Sequence, residues 1–422
     1  MNFTRTTLKN GVRVITVPLQ TETVTVLVLV ETGSKYETEK EMGLSHFLEH
    51  MCFKGTTKRP SSLQISSELD AIGAHYNAFT GYEYTGYYAK AHARHFDTIL
   101  DVVTDIYQDQ LFDQKEIDKE KGVIVEEIRM YEDMPQRNVA DVLMEALYGE
   151  QPAGRNIAGT IESVRAFNRD DFASYVAKHY VGDATVIVVA GNVPGDVEEK
   201  IAASLANMRV AKKHDKLTID DKQQGPVIKV KTKQSDQTHL ILATRTFPAR
   251  DERNYALKVL SAILGKGMSS RLFHILRDEM GVCYYVRSDI DSFTDHGFLS
   301  IAAGVDTKRT VEVVEVLRRE LRRFATEAVS EADLNKAKEY LIGGMYLNLE
   351  TSDSLADFYG FQEVLREPVD TPATVEAKIR AVTAEEIMHV AERLGLPENI
   401  TLAMVSPNAE TEELEKILSK KA

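Results

Sequence analysis

Two stretches of this chain repeat one another at a fixed distance, and that repeat limits the folds open to it more than any other feature. Residues 112–128 (FDQKEIDKEKGVIVEEI) can be laid on residues 329–345 (VSEADLNKAKEYLIGGM) without a gap, at an offset of 217. Ile117 falls on Leu334, Lys119 on Lys336 and Lys121 on Lys338. A chain of 422 residues is longer than one hydrophobic core usually serves. The repeat divides it nearly in half, and each half sets an αα stretch after a β-rich start. Two homologous α+β domains of about 200 residues follow, within the usual domain range. Residues 210–225 are polar, lack aromatic side chains and end before Pro226, which is a linker composition. The expected division is 1–212, a linker at 213–225, and 226–422.

Within the first half, apolar runs at Val12–Pro18 and Thr23–Glu31 read as strands. The pattern becomes helical at Gly43–Phe53 and Ser61–Ala71. It reads as strand over Gly81–Ala93, and as two long helices near His95–Gln110 and Lys115–Tyr131. Ala184–Ala190, followed by Gly191-Asn192, reads as the strand that closes the domain.

The strongest chemical signal lies on the helix at Gly43–Phe53. Each helical residue turns about 100°, so His46, Glu49 and His50 share one face within about 100° of arc. Leu44, Leu48 and Met51 take the opposite face. Two histidines at i and i+4 can bind one zinc ion, and a glutamate beside them is placed to take a proton from water. The bland reading is an amphipathic helix with incidental polar residues. A peptidase zinc also needs a third protein ligand. The helix Lys115–Tyr131 offers Glu116, Glu120 and Glu127 on one narrow face, while Glu126 points about 100° away. Acids on a helix are more often a solvated face. Val123 and Ile124 beside them suggest partial burial, and a buried carboxylate needs a metal or a partner.

The motif order His-x-x-Glu-His, followed by that glutamate helix, resembles the inverted-zincin peptidases, and among them the pitrilysin, insulinase and mitochondrial-processing-peptidase-like group. In that family a ligand glutamate follows the second histidine at about the spacing seen here, where 76 residues separate His50 from Glu127. The resemblance therefore implies His46, His50 and Glu127 as metal ligands and Glu120 as the acid that orients a histidine. It covers nearly the whole chain and implies, in each half, a mostly antiparallel sheet with helices packed on it. Residues 73–80 (GAHYNAFT) match its substrate-strand motif. Asn77, Ala78 and Phe79 would there bind substrate as an added strand. Core packing is the plain alternative for Phe79.

In the second half, Gly267-Met268-Ser269-Ser270-Arg271-Leu272, then Arg277 and Tyr284, match another signature. Lys266 stands where the family often has a glycine. The Gly-Lys-Gly run lacks phosphate-loop spacing. The family match implies that the Arg277–Tyr284 pair completes the active site, the phenol donating to the oxyanion. Without it, a surface arginine and a packed tyrosine would be preferred. Under the 217 offset Glu120 falls on Ala337 and Glu127 on Gly344, so one zinc per chain is expected.

Composition narrows the partners. A net charge of −14 argues against nucleic acid. No apolar run approaches the length of a membrane helix. The N-terminus lacks a signal-peptide pattern, so a cytoplasmic home is the default. Cys52 and Cys283, the two cysteines, lie 231 positions apart and are expected to be reduced thiols. The reading is a zinc-dependent endopeptidase acting on peptides or unfolded polypeptides inside a homodimer chamber. Its rivals are a non-catalytic assembly subunit of the same family and a peptidase that needs a different partner subunit.

Overall fold

The structure is a computed structural model and describes residues 3–420. Its first sheet holds β1 (Thr4–Thr7), β2 (Arg13–Pro18), β3 (Thr23–Val30), β4 (His75–Thr80), β5 (Thr85–His92) and β6 (Thr185–Gly191). Their order is β1-β2-β6-β3-β5-β4, and only the β2–β6 pair is parallel. The second sheet holds β7 (Val227–Thr232), β8 (Thr238–Arg245), β9 (Cys283–Ser292), β10 (Gly297–Val305) and β11 (Ile400–Ser406). Its order is β7-β11-β8-β10-β9, with only β7–β11 parallel. With β1 set aside the two orders coincide strand for strand. The α+β class and the mostly antiparallel sheets are as expected.

In β3, Val24, Val26, Val28 and Val30 enter the core shared with the helices α1 (Leu44–Cys52), α2 (Ser62–Asp70) and α3 (Phe96–Gln108). Leu27 and Leu29 point to the other face, which the helix Ser352–Val364 covers. Burial on both faces explains why β3 reads as an unbroken apolar run. The strand expected over 81–93 starts later, at Thr85. The hairpin register closes at Thr80 opposite Thr85, and Gly81 N–H donates to the Tyr84 carbonyl at 2.8 Å. Tyr82 and Tyr84 have strand-like side chains but sit in that turn.

The repeat is borne out in the helices. α4 (Gln114–Asp133) begins 217 residues before the helix Glu331–Asn348. The next pair, α5 (Pro135–Tyr148) and Ser352–Val364, shows the same offset. These last two change places. The first compact unit runs through Ile128 and adds Asn156–Thr218 and Tyr346–Pro372. The second holds Arg129–Arg155, Ile219–Met345 and the chain from Ala373. Ser352–Val364 packs on β3, β6 and β2, and α5 packs on β11, β7 and β8. The contiguous cut at 213–225 therefore misplaces one helix in each half. Both helices bury an apolar stripe (Val139, Val142, Leu143 and Leu147 in α5), and nothing in such a stripe specifies which sheet receives it.

Candidate metal centre

The histidine helix α1 is fixed at its start by two devices. Gly43 has φ +92°, and a Cβ there would meet the Ala158 carbonyl oxygen at 2.7 Å, so glycine is required. Glu37, 1% exposed, accepts the Gly43 N–H on Oε2 at 2.8 Å and the Ser45 N–H on Oε1 at 2.6 Å. A helix leaves its first N–H groups without internal partners, and a carboxylate there is a favourable cap. Leu44, Phe47, Leu48, Met51 and Cys52 bury the opposite face. His46, Glu49 and His50 are left half-buried on the working side.

Burial pushes the Glu37 carboxyl up to about 7, against the Ser45 and Gly43 hydrogen bonds that lower it. The folded pKa then exceeds the ordinary 4.5, so this group favours the fold fully below that value. The contribution is lost as pH rises toward 7. A shift of that size corresponds to about 3 kcal/mol. Melting temperatures measured from pH 5 to 8 should therefore fall more steeply for the native chain than for Glu37→Gln. Parallel curves would refute this.

α4 lies across from α1 and supplies the acids. His46 Nε2 lies 3.7 Å from Glu127 Oε2, and His50 Nε2 lies 3.5 Å from the same oxygen. One donor atom from each of the three residues falls within 4.8 Å of the others, the only such cluster among the described residues. Zinc bonds of about 2.0–2.2 Å in a tetrahedron place ligand atoms about 3.4 Å apart. The donor set fits that ion. His50 Nδ1 is 2.9 Å from Glu120 Oε1, which leaves Nε2 free to act as a ligand. Glu120, 5% exposed, also takes Lys54 Nζ on Oε2 at 2.6 Å. His46 Nδ1 is buried and has no hydrogen-bond partner among the described residues.

The electrostatics follow from burial and neighbours. Burial, then His50, holds His46 down at about 4, so its ring is neutral at pH 7 and can offer a lone pair. For His50 burial acts downward, but Glu120, Glu49 and Glu127 outweigh it and raise its pKa. Burial raises the Glu49 carboxyl, although the Thr80 hydroxyl donates to Oε2 at 2.6 Å and lowers it. Glu120 is held low by His50 and Lys54 in spite of its burial.

The remaining expected residues fall as follows. Glu116, half-buried, pairs with Lys119 and takes no part in the cluster. Val123 is 52% exposed, so it does not bury the helix; Ile117, Ile124 and Val125 do. Asn77, Ala78 and Phe79 lie on β4, the edge strand, which pairs only with β5. Ala78 points into the core, while Asn77 is exposed. Phe79 packs on Tyr84 and Phe361 and over Gly86, where a Cβ would come within 2.3 Å of its ring. Arg277 and Tyr284 lie together in the second unit: Arg277 Nη1 donates to the Tyr284 carbonyl at 2.6 Å. The guanidinium carbon stands 5.5 Å from the Tyr284 ring centre, and the ring is 74% exposed. Arg277 sits on a π-helical turn, His274–Glu279, a distortion common at functional positions.

Sequence reasoning missed Glu37, Lys54 and Thr80. Lys54 lies four residues beyond His50, a helical spacing that could have suggested it. Thr80 reaches Glu49 only through the packing of β4 on α1. In the second half the first helix after β8, Asn254–Gly265, carries no histidine. The position of Glu120 is taken by the buried Ala337.

Known proteins resemble this chain along most of its length. Residues 13–161 match the model of the insulinase family, peptidase family M16, and residues 166–341 match that of the peptidase M16 inactive domain. Among curated proteins, the uncharacterized zinc protease YmxG of Bacillus subtilis is 36% identical over 96% of this chain and 98% of its own length. The chain belongs to peptidase family M16. An uncharacterized zinc protease of Mycobacterium leprae is 34% identical to this M16 chain over 98% of it and 94% of the relative. In fold the chain resembles a protease from Helicobacter pylori, with a TM-score of 0.89 at 22% identity, covering 96% of this chain and 99% of that one. The residues of the metal cluster all lie inside the first matched segment. No helix among the described residues is long and apolar enough to cross a membrane.

Proposed function

We propose that this M16 chain is a zinc-dependent endopeptidase that hydrolyses peptides or unfolded polypeptides in a chamber formed by a homodimer. The observation that carries the reading is the convergence of His46, His50 and Glu127 beside the half-buried Glu49. Zinc held there, one ion per chain, would supply Lewis-acid polarisation of the scissile carbonyl and of water. Glu49 takes the water proton and returns it to the leaving amine, a shuttle suited to a carboxylate whose pKa burial raises. Thr80 fixes the Glu49 carboxylate, and Glu120 fixes the His50 ring. The open edge of β4 takes the substrate backbone as an added strand. The Tyr284 phenol donates to the oxyanion, and Arg277 holds the Tyr284 backbone in place. In this reading Arg277 and Tyr284 serve the partner's metal site, and the enzyme works in the cytoplasm. The complete ligand set disfavours the rival of a purely structural subunit.

The test is a mixed peptide library with cut sites mapped by mass spectrometry, run beside a metal assay. One zinc per chain, loss of cleavage on chelation and return on adding zinc are expected. A zinc-loaded protein that cuts nothing, or cleavage indifferent to chelation, would sink the proposal.

A further inference from the structure

The face of the first sheet opposite α1 holds a cavity of about 240 Å³ beside the edge strand. Thr25, Leu27, Asn77, Phe79 and Tyr88 form its sheet wall, and Asp353 and Asp357 of the helix Ser352–Val364 close it. Asp353, Asp357 and Phe361 stand four residues apart and so make one row along that helix. Two of the three already have partners. Asp353 Oδ1 pairs with Lys90 Nζ at 2.7 Å, and the Phe361 ring packs on Phe79 and Tyr84. The Asp357 carboxylate has no cation facing it among the described residues. Burial, then the Asp353 charge, pushes its pKa up to about 6. This is a carboxylate whose charged form lacks a counterion.

A strand has two faces. Tyr76, Ala78 and Thr80 of β4 turn toward the α1 core, where Tyr76 and Ala78 pack and Thr80 meets Glu49. Asn77 and Phe79 turn to the cavity. No strand among the described residues pairs with the outer edge of β4, and the Ala78 N–H is met by the neighbouring Asn77 Oδ1 at 2.9 Å. A peptide added at this edge alternates its own side chains between the same two faces. Those on the α1 side approach the metal ligands; those on the other side stand over the cavity.

We propose that this cavity is a specificity subsite for a lysine or arginine side chain of the substrate, with Asp357 as its counterion. The inference rests on the peptidase reading and on β4 as the docking edge. The aliphatic stem of the side chain lies against Leu27, Phe79 and Tyr88, and its charged head meets Asp357. Long basic side chains bury their stems in this way while pairing their ends. The Tyr88 ring adds a cation–π face.

The probe is a pair of peptide series, identical except for Lys, Arg, Gln or Glu at each position flanking the cut. The native protein should cleave best with Lys or Arg at one subsite whose side chain turns away from α1. A half-buried charge pair of this kind corresponds to about a tenfold preference over Gln. Asp357→Asn should remove that basic-to-neutral ratio, and Asp357→Lys should favour Glu at the same position. Binding of the same peptides to Glu49→Gln, read by fluorescence anisotropy, should show the same order and weaken with salt. Equal cleavage of Lys, Gln and Glu peptides by the native protein would overturn the subsite while leaving the peptidase intact. So would a basic preference unchanged in Asp357→Asn. A zinc-loaded protein that cuts no peptide would instead overturn the peptidase reading, and the subsite with it. The native ratio is read without any variant having to fold.

Discussion

Glu49→Gln should lower peptide turnover by about a thousandfold while the protein keeps one zinc per chain. The amide has nearly the shape of the carboxylate, and its oxygen can still accept the Thr80 hydroxyl, 2.6 Å away in the native site. What it cannot do is accept the water proton. Turnover measured beside zinc content separates this loss from simple loss of metal. Turnover within tenfold of native would remove Glu49 from its role. The same variant tests the dimer. Mixed with Arg277→Ala chains, it should regain activity, because each mixed dimer would hold one site with an intact Glu49 and an intact Arg277. If the mixture stays inactive, Arg277 and Tyr284 do not serve the partner's metal.

Glu127→Ala should abolish zinc retention, because two histidines alone leave the ion without its third protein ligand. Glu120→Gln should weaken zinc affinity by about 10–100-fold, since it only removes the charge that steadies His50 Nδ1. Glu126→Ala should retain zinc. Competition with a chromogenic chelator gives the three affinities in one assay. An order in which Glu126 matters more than Glu127, or Glu120 more than Glu127, would overturn the ligand assignment.

Much of the candidate metal site, as a cluster of side chains, was readable in the chain. The i, i+4 histidines fix a helical face, and the helical arc selects Glu127 over Glu126 without any structure. The spacing shared with the M16 family gave the same answer. β4 (His75–Thr80) was reached through its motif alone, while the strand pattern opened β5 four residues too early, at residue 81 instead of Thr85. Aromatic residues in the turn at Tyr82 and Tyr84 look like strand residues because both settings favour half-buried rings. Val123 misled in a similar way, since a lone exposed valine on a helix carries little cost.

The sequence by itself determined the duplication and singled out the candidate ligands His46, His50 and Glu127, all in the first half. Each of these is a pattern of residue types at a fixed spacing. The tertiary structure decided what depends on contacts between distant segments. Thr80 meets Glu49 because β4 packs on α1. Glu37 caps α1 from outside the helix. The exchanged helix Ser352–Val364 brings Asp357 beside a strand more than two hundred residues earlier in the chain. An apolar stripe commits a helix to burial, but only the shape and free area of the two sheets select the one that receives it.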